Sequence, residues 1–184
     1  MNYSLAIGIC WLVFMATWMV LAMVFGGSGR RQQTPMAIGV RLVVLATMFV
    51  AIFYGDRIRL QPFGDHALRF AQAGLALCIV GLVFAAWARV ALGRSWGMPM
   101  SLHDNPELVT AGPYRFVRHP IYTGLAAMLI GTSLVYPLAI VPCVVMIAYS
   151  LFSAVREERD MQNRFGDAYR QYMKRSKMLV PFVL

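Results

Sequence analysis

Two long stretches without a charged side chain constrain this sequence more than any other feature. Residues 3–25 and residues 120–155 contain no Asp, Glu, Lys or Arg, and the second stretch is 36 residues long. A helix needs about 20 mostly apolar residues to cross the hydrocarbon core of a bilayer. With 59% hydrophobic residues in the whole chain, the sequence predicts an all-α integral membrane protein.

The charged side chains lie mainly between and after the apolar stretches. The 184-residue chain has a formal net charge of +9, a value that would also fit a nucleic-acid-binding protein. The position of the charges instead favours anionic lipid headgroups as their partners, so no nucleic acid partner is expected. The cysteines, Cys10, Cys78 and Cys143, lie within apolar segments and form no CxxC pair, which argues against a metal site.

About five transmembrane helices are predicted. The first three cover residues 3–25, 35–54 and 67–92. Residues 120–155 exceed one crossing, and the prolines near positions 137 and 142 divide them into a hairpin of two helices of about 17 residues each. A single re-entrant hairpin is the alternative. Residues 1–92 and 93–184 are treated as two parts of one structural domain, and the first helix is predicted to be retained because it lacks the basic start of a signal peptide.

Lys and Arg are distributed unequally between the two sides that five crossings create. The smaller set is Arg57, Arg59 and Arg69; the larger set is Arg30, Arg31, Arg94, Arg115, Arg118 and the seven cations after residue 155. The positive-inside rule places the larger set in the cytoplasm. We therefore expect a multi-pass protein of a bacterial inner membrane with a cytoplasmic C-terminus. The base of the hairpin should then bring residues 118–119 close to residues 156–158.

The tail after residue 155 has the pattern of an amphipathic helix. An apolar stripe at helical spacing consists of Met161, Phe165, Ala168 and Tyr172. Gly166 is suited to stop one helix, and the following Asp167 to cap the next. The sequence therefore predicts a cytoplasmic tail helix that packs through this stripe.

Residues 112–124, Gly-Pro-Tyr-Arg-Phe-Val-Arg-His-Pro-Ile-Tyr-Thr-Gly, form the most distinctive polar segment. Two prolines and a glycine predict a compact loop that ends at Pro120, the first residue of a new helix. The N–H groups of a helix N-terminus, together with Arg115, Arg118 and His119, would suit an anionic group such as a carboxylate or phosphate. The alternative is a basic loop at the membrane surface that only sets topology.

Two carboxylates, Glu157 and Glu158, begin the polar tail at the predicted membrane boundary. A carboxylate at that depth needs a partner or water. One interpretation is a solvated pair balanced by Arg156 and Arg159. The other is a ligand contact, for example with a ribose hydroxyl or an ammonium group.

Two motifs in a fixed order resemble one family. The first is RHPxYxG at residues 118–124, and the second is EE-x6-FGxxYxxY at residues 157–172. This order, with a charge-free hairpin between the motifs, resembles the isoprenylcysteine carboxyl methyltransferase family and the related phospholipid N-methyltransferases. The resemblance covers about residues 90–182.

The resemblance implies an integral membrane methyltransferase that uses S-adenosylmethionine at the cytoplasmic edge of the membrane. The family positions that contact the cofactor correspond here to Leu108, Val109, Tyr114, His119, Pro120, Ile121, Tyr122 and Glu157. Three further residues are expected to support the loop or the substrate: Arg118, Arg156 and Glu158, the last of them through an arginine. Neither a catalytic residue nor a general base is identified.

The methyl acceptor is expected to be lipid-like or a small hydrophobic molecule that carries a carboxylate, thiol or amine. Eukaryotic prenylcysteine enzymes have an arginine one helical turn before the matched glutamate, whereas this chain has Ser153. Two other functions are compatible with the pattern. One is an NADPH-dependent membrane sterol-type reductase, with Arg115, Arg118 and Arg164 on the extra phosphate. The other is a non-catalytic small membrane protein.

Overall fold

The structure is a computed structural model and describes residues 2–25, 66–93 and 108–179. Within these residues the chain is helical, apart from a loop and one isolated β-bridge. The helices are α1 (Tyr3–Phe25), α2 (Ala67–Leu92), α3 (Pro120–Val135), α4 (Ile140–Phe165) and α5 (Asp167–Arg175), with single 3₁₀ turns at Gly112–Arg115 and Pro137–Ala139. The predicted helix at residues 35–54 lies outside the described residues.

Three helical stretches in the described part are long and apolar enough to cross a membrane. They are α1, α2 and the stretch Pro137–Phe165, and α3 is a shorter apolar helix of 16 residues. This confirms the all-helical membrane architecture. It does not by itself establish the predicted number of five crossings.

Close contact between α2 and α3 forms the centre of the fold. Gly74 and Gly81 of α2 face Gly131 and Gly124 of α3, in the opposite order along the two helices, so the helices run antiparallel. A Cβ atom on Gly81 would lie 2.5 Å from the carbonyl oxygen of Gly124. Small residues let membrane helices approach until their backbones touch. The two glycine pairs allow this backbone contact at two levels along the helices.

The helix α1 packs against this pair through one narrow face. Ile7 and Cys10 are buried against Cys78 and Met128, and the Trp11 indole N–H donates a 3.0 Å hydrogen bond to the Thr132 hydroxyl. Most of the other large apolar side chains of α1 are exposed, as a helix surrounded by lipid tails requires.

The predicted hairpin is confirmed at its turn and corrected at its second helix. The chain breaks at Tyr136, where α3 ends and the 3₁₀ turn begins. Pro142 does not divide the helices; it lies in the first turn of α4, where its missing N–H costs nothing. The helix α4 is 26 residues long and runs through the membrane boundary into the polar tail as far as Phe165.

Gly166 ends α4 as predicted, because its φ of 55° is a left-handed conformation that glycine adopts easily. Asp167 then starts α5 without a side-chain cap, and its carboxylate instead pairs with Arg170 at 3.0 Å. The predicted apolar stripe is wrong at Ala168, which is exposed. The left-handed residue shifts the helical phase, so that Tyr169 and Tyr172 are the buried side chains of α5.

Candidate functional site

The loop before α3 is compact, as its prolines predict. The 3₁₀ turn Gly112–Arg115 opens with Gly112 at a φ of 61°, and Pro113 and Tyr114 are buried. A proline, Pro120, forms the first turn of α3. The loop therefore ends with His119 held at the N-terminus of a helix, whose first N–H groups have no partner within that helix.

The chain that follows α5 lies parallel to this loop. Val117 and Lys177 form a parallel β-bridge. The Lys177 N–H donates to the Phe116 carbonyl at 3.2 Å, the Arg118 N–H to the Lys177 carbonyl at 2.8 Å, and the His119 N–H to the Met178 carbonyl at 3.1 Å. The loop is therefore fixed from one side by the C-terminal part of the described chain.

The Arg118 side chain joins three elements at this place. Its Nε atom donates to Glu158 Oε1 at 2.6 Å, and its Nη1 atom donates to the carbonyl oxygens of Ser176 and, at 3.4 Å, Met173. The Tyr172 hydroxyl adds a 2.6 Å hydrogen bond to the Tyr114 carbonyl. We use the name tail clasp for these contacts between residues 114–119, Glu158 and residues 172–179.

Next to the tail clasp, His119 lies between two carboxylates of α4. Its Nδ1 atom is 3.6 Å from Glu157 Oε2, and its Nε2 atom is 3.6 Å from Glu158 Oε1. The Tyr122 hydroxyl donates a 2.8 Å hydrogen bond to Glu157 Oε1, and the Tyr122 ring stacks on the imidazole with centroids 5.7 Å apart. The predicted approach of residues 118–119 to Glu157 and Glu158 is thus confirmed.

The two carboxylates are in different environments. Burial alone would raise the pKa of the Glu158 carboxyl, but the adjacent His119 and Arg118 outweigh it and hold that pKa below its usual value. Glu158 is therefore ionised and committed to Arg118. The Glu157 side chain is twice as exposed, 21% against 11%, and it is the carboxylate that a ligand can reach.

Burial also raises the pKa of three tyrosines in or next to the tail clasp, and nearby cations do not reverse this effect. Burial raises the pKa of Tyr172 to about 12, and it also raises the pKa of Tyr114 and Tyr169. The Tyr172 phenol therefore keeps its proton at neutral pH and acts as a hydrogen-bond donor to the loop.

The residues at the base of α3 and α4 fit a ligand with both a positive and a negative group. Glu157 offers a carboxylate for an ammonium or hydroxyl group, and the first turn of α3 offers N–H groups for a carboxylate. The His119 Nε2 atom is buried and has no hydrogen-bond partner within the described residues. A buried polar atom without a hydrogen bond needs an explanation, and a group bound at this site would supply one.

The other predicted site residues take different places. Pro120 is buried and Ile121 half-buried in the first turn of α3, while Leu108 and Val109 are half-buried before the 3₁₀ turn. Tyr114 is buried, and its carbonyl oxygen accepts the hydrogen bond from the Tyr172 hydroxyl. Arg156 lies apart from the cluster: it is exposed, with its guanidinium carbon 5.7 Å from the centre of the Phe152 ring.

Sequence reasoning did not identify residues 176–179 as part of the site. They contact the loop mostly through backbone atoms, as in the 2.6 Å hydrogen bond from the Thr123 hydroxyl to the Leu179 carbonyl. Backbone pairing leaves no mark on residue type. The available signal in the sequence is the apolar character of the chain from Leu179 onward, which favours packing against the body of the protein but does not say where.

Fold and site together define a helical membrane protein with a polar site where two apolar helices reach the membrane surface. The sequence model of the phospholipid methyltransferase family matches residues 70–168, which include α3, α4, the whole first motif and the second motif as far as Ala168. The chain belongs to the phospholipid methyltransferase family.

Curated relatives agree with this family. The chain is 29% identical to a probable protein-S-isoprenylcysteine O-methyltransferase of Oryza sativa, over 94% of this chain and 92% of the relative. It is 26% identical to protein-S-isoprenylcysteine O-methyltransferase B of Arabidopsis thaliana, over 89% and 85%. It is also 36% identical to methanethiol S-methyltransferase 1 of Bradyrhizobium diazoefficiens, over 42% and 27%. The protein is a methyltransferase, and these relatives favour that function over sterol-type reduction or a non-catalytic role.

Proposed function

We propose that the protein transfers a methyl group from S-adenosylmethionine to a lipid-like or small hydrophobic acceptor at the cytoplasmic face of a bacterial inner membrane. The observation that carries this proposal is the cluster of His119, Tyr122 and Glu157 at the N-terminus of α3. Its donor and acceptor groups suit the amino acid and ribose parts of that cofactor. Its position is at the polar end of two apolar helices.

The residues around the cluster have separate roles in this proposal. Glu157 would bind the ammonium or a ribose hydroxyl, and the first turn of α3 would bind the carboxylate. The half-buried side chains of Leu108, Val109, Ile121 and Tyr122 offer apolar surface for the adenine, and the buried Tyr114 supports the loop beneath them. The cofactor supplies an activated methyl group on sulfur, so the protein has to hold the acceptor in line with it and keep water out.

The acceptor is proposed to approach through the bilayer. The faces of α3 and α4 above the cluster are apolar, and the Ser153 side chain, where eukaryotic relatives have arginine, is buried on α4. Without a cation at this position, a substrate carboxylate has no fixed partner there.

Relatives named for prenylcysteine and for methanethiol differ greatly in acceptor size, so we propose a hydrophobic acceptor class. Thiolates and carboxylates would need no general base; an amine would.

Calorimetric titration of the detergent-solubilised protein with S-adenosylhomocysteine tests the proposed cofactor, with NADPH as the parallel ligand. We expect saturable binding of the first ligand and none of the second. His119→Ala and Glu157→Gln should each weaken binding at least about tenfold, the loss expected when a hydrogen bond to a charged group is removed. Both variants should remain folded and inserted in the membrane.

Asp160→Asn is the matched control, because Asp160 is an exposed carboxylate on the same helix. It should bind S-adenosylhomocysteine as the unmodified protein does. Equal affinity in all four proteins would refute the site, and binding of NADPH alone would refute the cofactor.

A further inference from the structure

A concave surface whose lining does not include His119, Tyr122 or Glu157 lies between the loop and the end of α5. It is a groove of about 210 Å³ lined by Arg115, Phe116, Met173, Lys174, Arg175, Ser176 and Lys177. We call it the basic groove. Pockets that hold drug-sized ligands usually have about 300–1,000 Å³, so this groove is too small for a whole nucleoside cofactor and suits a compact group.

The charges of the basic groove all have one sign. Its four cations, Arg115, Lys174, Arg175 and Lys177, are exposed, and none has an ion-pair partner among the described residues. Cations in the last turn of a helix can simply offset the helix dipole, which would account for Lys174 and Arg175. The dipole does not account for Arg115, which belongs to the loop, or for Lys177, which follows α5. Both residues line the same groove.

The basic groove also lies next to the polar end of an apolar helix, where lipid headgroups would be expected. Its wall residue Lys177 is bridged to Val117, three residues before the start of apolar α3. Three residues span at most about 10 Å, and the headgroup layer on each side of a bilayer is about 5–8 Å thick. Phe116 is 46% exposed at the same place, as aromatic side chains at a membrane surface commonly are.

From these observations we propose that the basic groove binds the phosphate-bearing headgroup of an anionic phospholipid from the surrounding membrane. The lipid is not the methyl acceptor in this proposal, because none of His119, Tyr122 and Glu157 lines the groove. Three lining residues of the groove, Met173, Ser176 and Lys177, also take part in the clasp through backbone hydrogen bonds. A bound headgroup would therefore hold the clasp closed.

Native mass spectrometry of the full-length protein in detergent tests this proposal, with added phosphatidylglycerol and, separately, phosphatidylcholine. The fraction of protein that retains one lipid is measured, without any cofactor or acceptor. We expect phosphatidylglycerol to be retained in preference. Lys174→Gln with Lys177→Gln should weaken its retention about tenfold or more, as removal of two cations next to an anionic headgroup implies.

The matched control removes two exposed cations of the tail outside the groove, Arg159→Gln with Arg170→Gln, and should change retention less than twofold. An equal loss in both double variants would overturn the proposal, since net charge alone would then explain binding. Equal retention of the two lipids would also overturn it. So would displacement of phosphatidylglycerol by an equal concentration of inorganic phosphate, which would show a soluble-anion site. Because the readout needs no methyl transfer, it is independent of the proposed function.

Discussion

At the scale of single residues, two adjacent glutamates that look alike in the sequence have different tasks. Glu158 accepts the hydrogen bond from Arg118 at 2.6 Å, while Glu157 accepts one from Tyr122 and faces His119. Adjacent positions on a helix point about 100° apart, so Glu158 can hold the tail clasp while Glu157 faces Tyr122 and His119. Under the proposed function, the first carboxylate supports the loop and the second binds the cofactor.

Replacing Glu158 by Gln should remove an acid-sensitive part of the stability. The pKa of the folded carboxyl is depressed, so the carboxylate contributes stability above the ordinary pKa of about 4.3 and loses it as pH falls through the folded pKa. Breaking a largely buried ion pair costs about 3 kcal/mol. The thermal midpoint of Glu158→Gln should lie below that of the unmodified protein at pH 7, and the difference should narrow progressively as the pH falls below about 4.3 towards the depressed folded pKa.

Circular dichroism of both proteins between pH 7 and pH 3.5 measures this difference. Asp167→Asn is the control, because the Asp167 side chain is 85% exposed and its pair with Arg170 is solvated. That variant should follow the unmodified protein at every pH. A difference for Glu158→Gln that does not depend on pH would show that the carboxylate is not the source of the stability.

At the scale of secondary-structure elements, the contact between α2 and α3 sets where the site lies. The glycines allow the two backbones to touch at two levels, and this fixes the level of Pro120 relative to the end of α2. Gly112 also packs against α2, because a Cβ atom there would lie 3.4 Å from that of Ala91. The loop is thus supported by α2 on one side and by the tail on the other.

The variant Gly81→Ala should disrupt this contact. The added methyl group would meet the backbone of α3, which cannot move aside as a flexible side chain can, and overpacking of this kind typically costs about 1–3 kcal/mol or more. We expect a lower thermal midpoint and less monodisperse protein after detergent extraction.

Gly8→Ala provides the matched comparison, since no atom lies within 4 Å of the position its Cβ would take. It should leave the midpoint unchanged or raise it slightly, because alanine favours helix more than glycine does. Equal effects of the two substitutions would mean that close packing of α2 against α3 does not stabilise the protein.

The elements themselves were largely predictable from sequence, and the reasons are physical. The lengths of the apolar stretches predict α1 and α2 with their observed bounds. Pro137 and Gly166 predict the breaks on either side of α4. The phase of α5 was not predictable by counting residues, because one left-handed residue changes the helical register. The predicted meeting of Arg118 and His119 with Glu157 and Glu158 followed from topology alone. The pairing of residues 176–179 with the loop depends on backbone atoms and escaped detection.

At the scale of the whole molecule, the cations and the candidate site occupy the same end of the helices. The tail clasp, the basic groove and the cluster of His119 and Glu157 all lie where α3 begins and where α4 leaves the apolar region. If that end is cytoplasmic, as the positive-inside rule predicts, the site has direct access to a soluble cofactor and lateral access to the bilayer.

Cysteine labelling tests this orientation. In a variant without its native cysteines, Gln171→Cys on the exposed side of α5 should react with a membrane-impermeant maleimide only in inverted vesicles. Asn2→Cys, at the start of α1 and also exposed, should react in intact cells. The reverse pattern would refute the cytoplasmic site, and labelling of both positions from the same side would refute an odd number of crossings.

The parallel bridge between Val117 and Lys177 joins residues that are 60 positions apart. A ribosome adds about 5–20 residues per second, so the loop waits about 3–12 seconds before its partner strand has been made. During that time the earlier helices can already occupy the bilayer, and the glutamates that face His119 are made before Lys177, so the loop gains its support last. A chain interrupted before Lys177 would have the helices that carry the site but could not form the tail clasp.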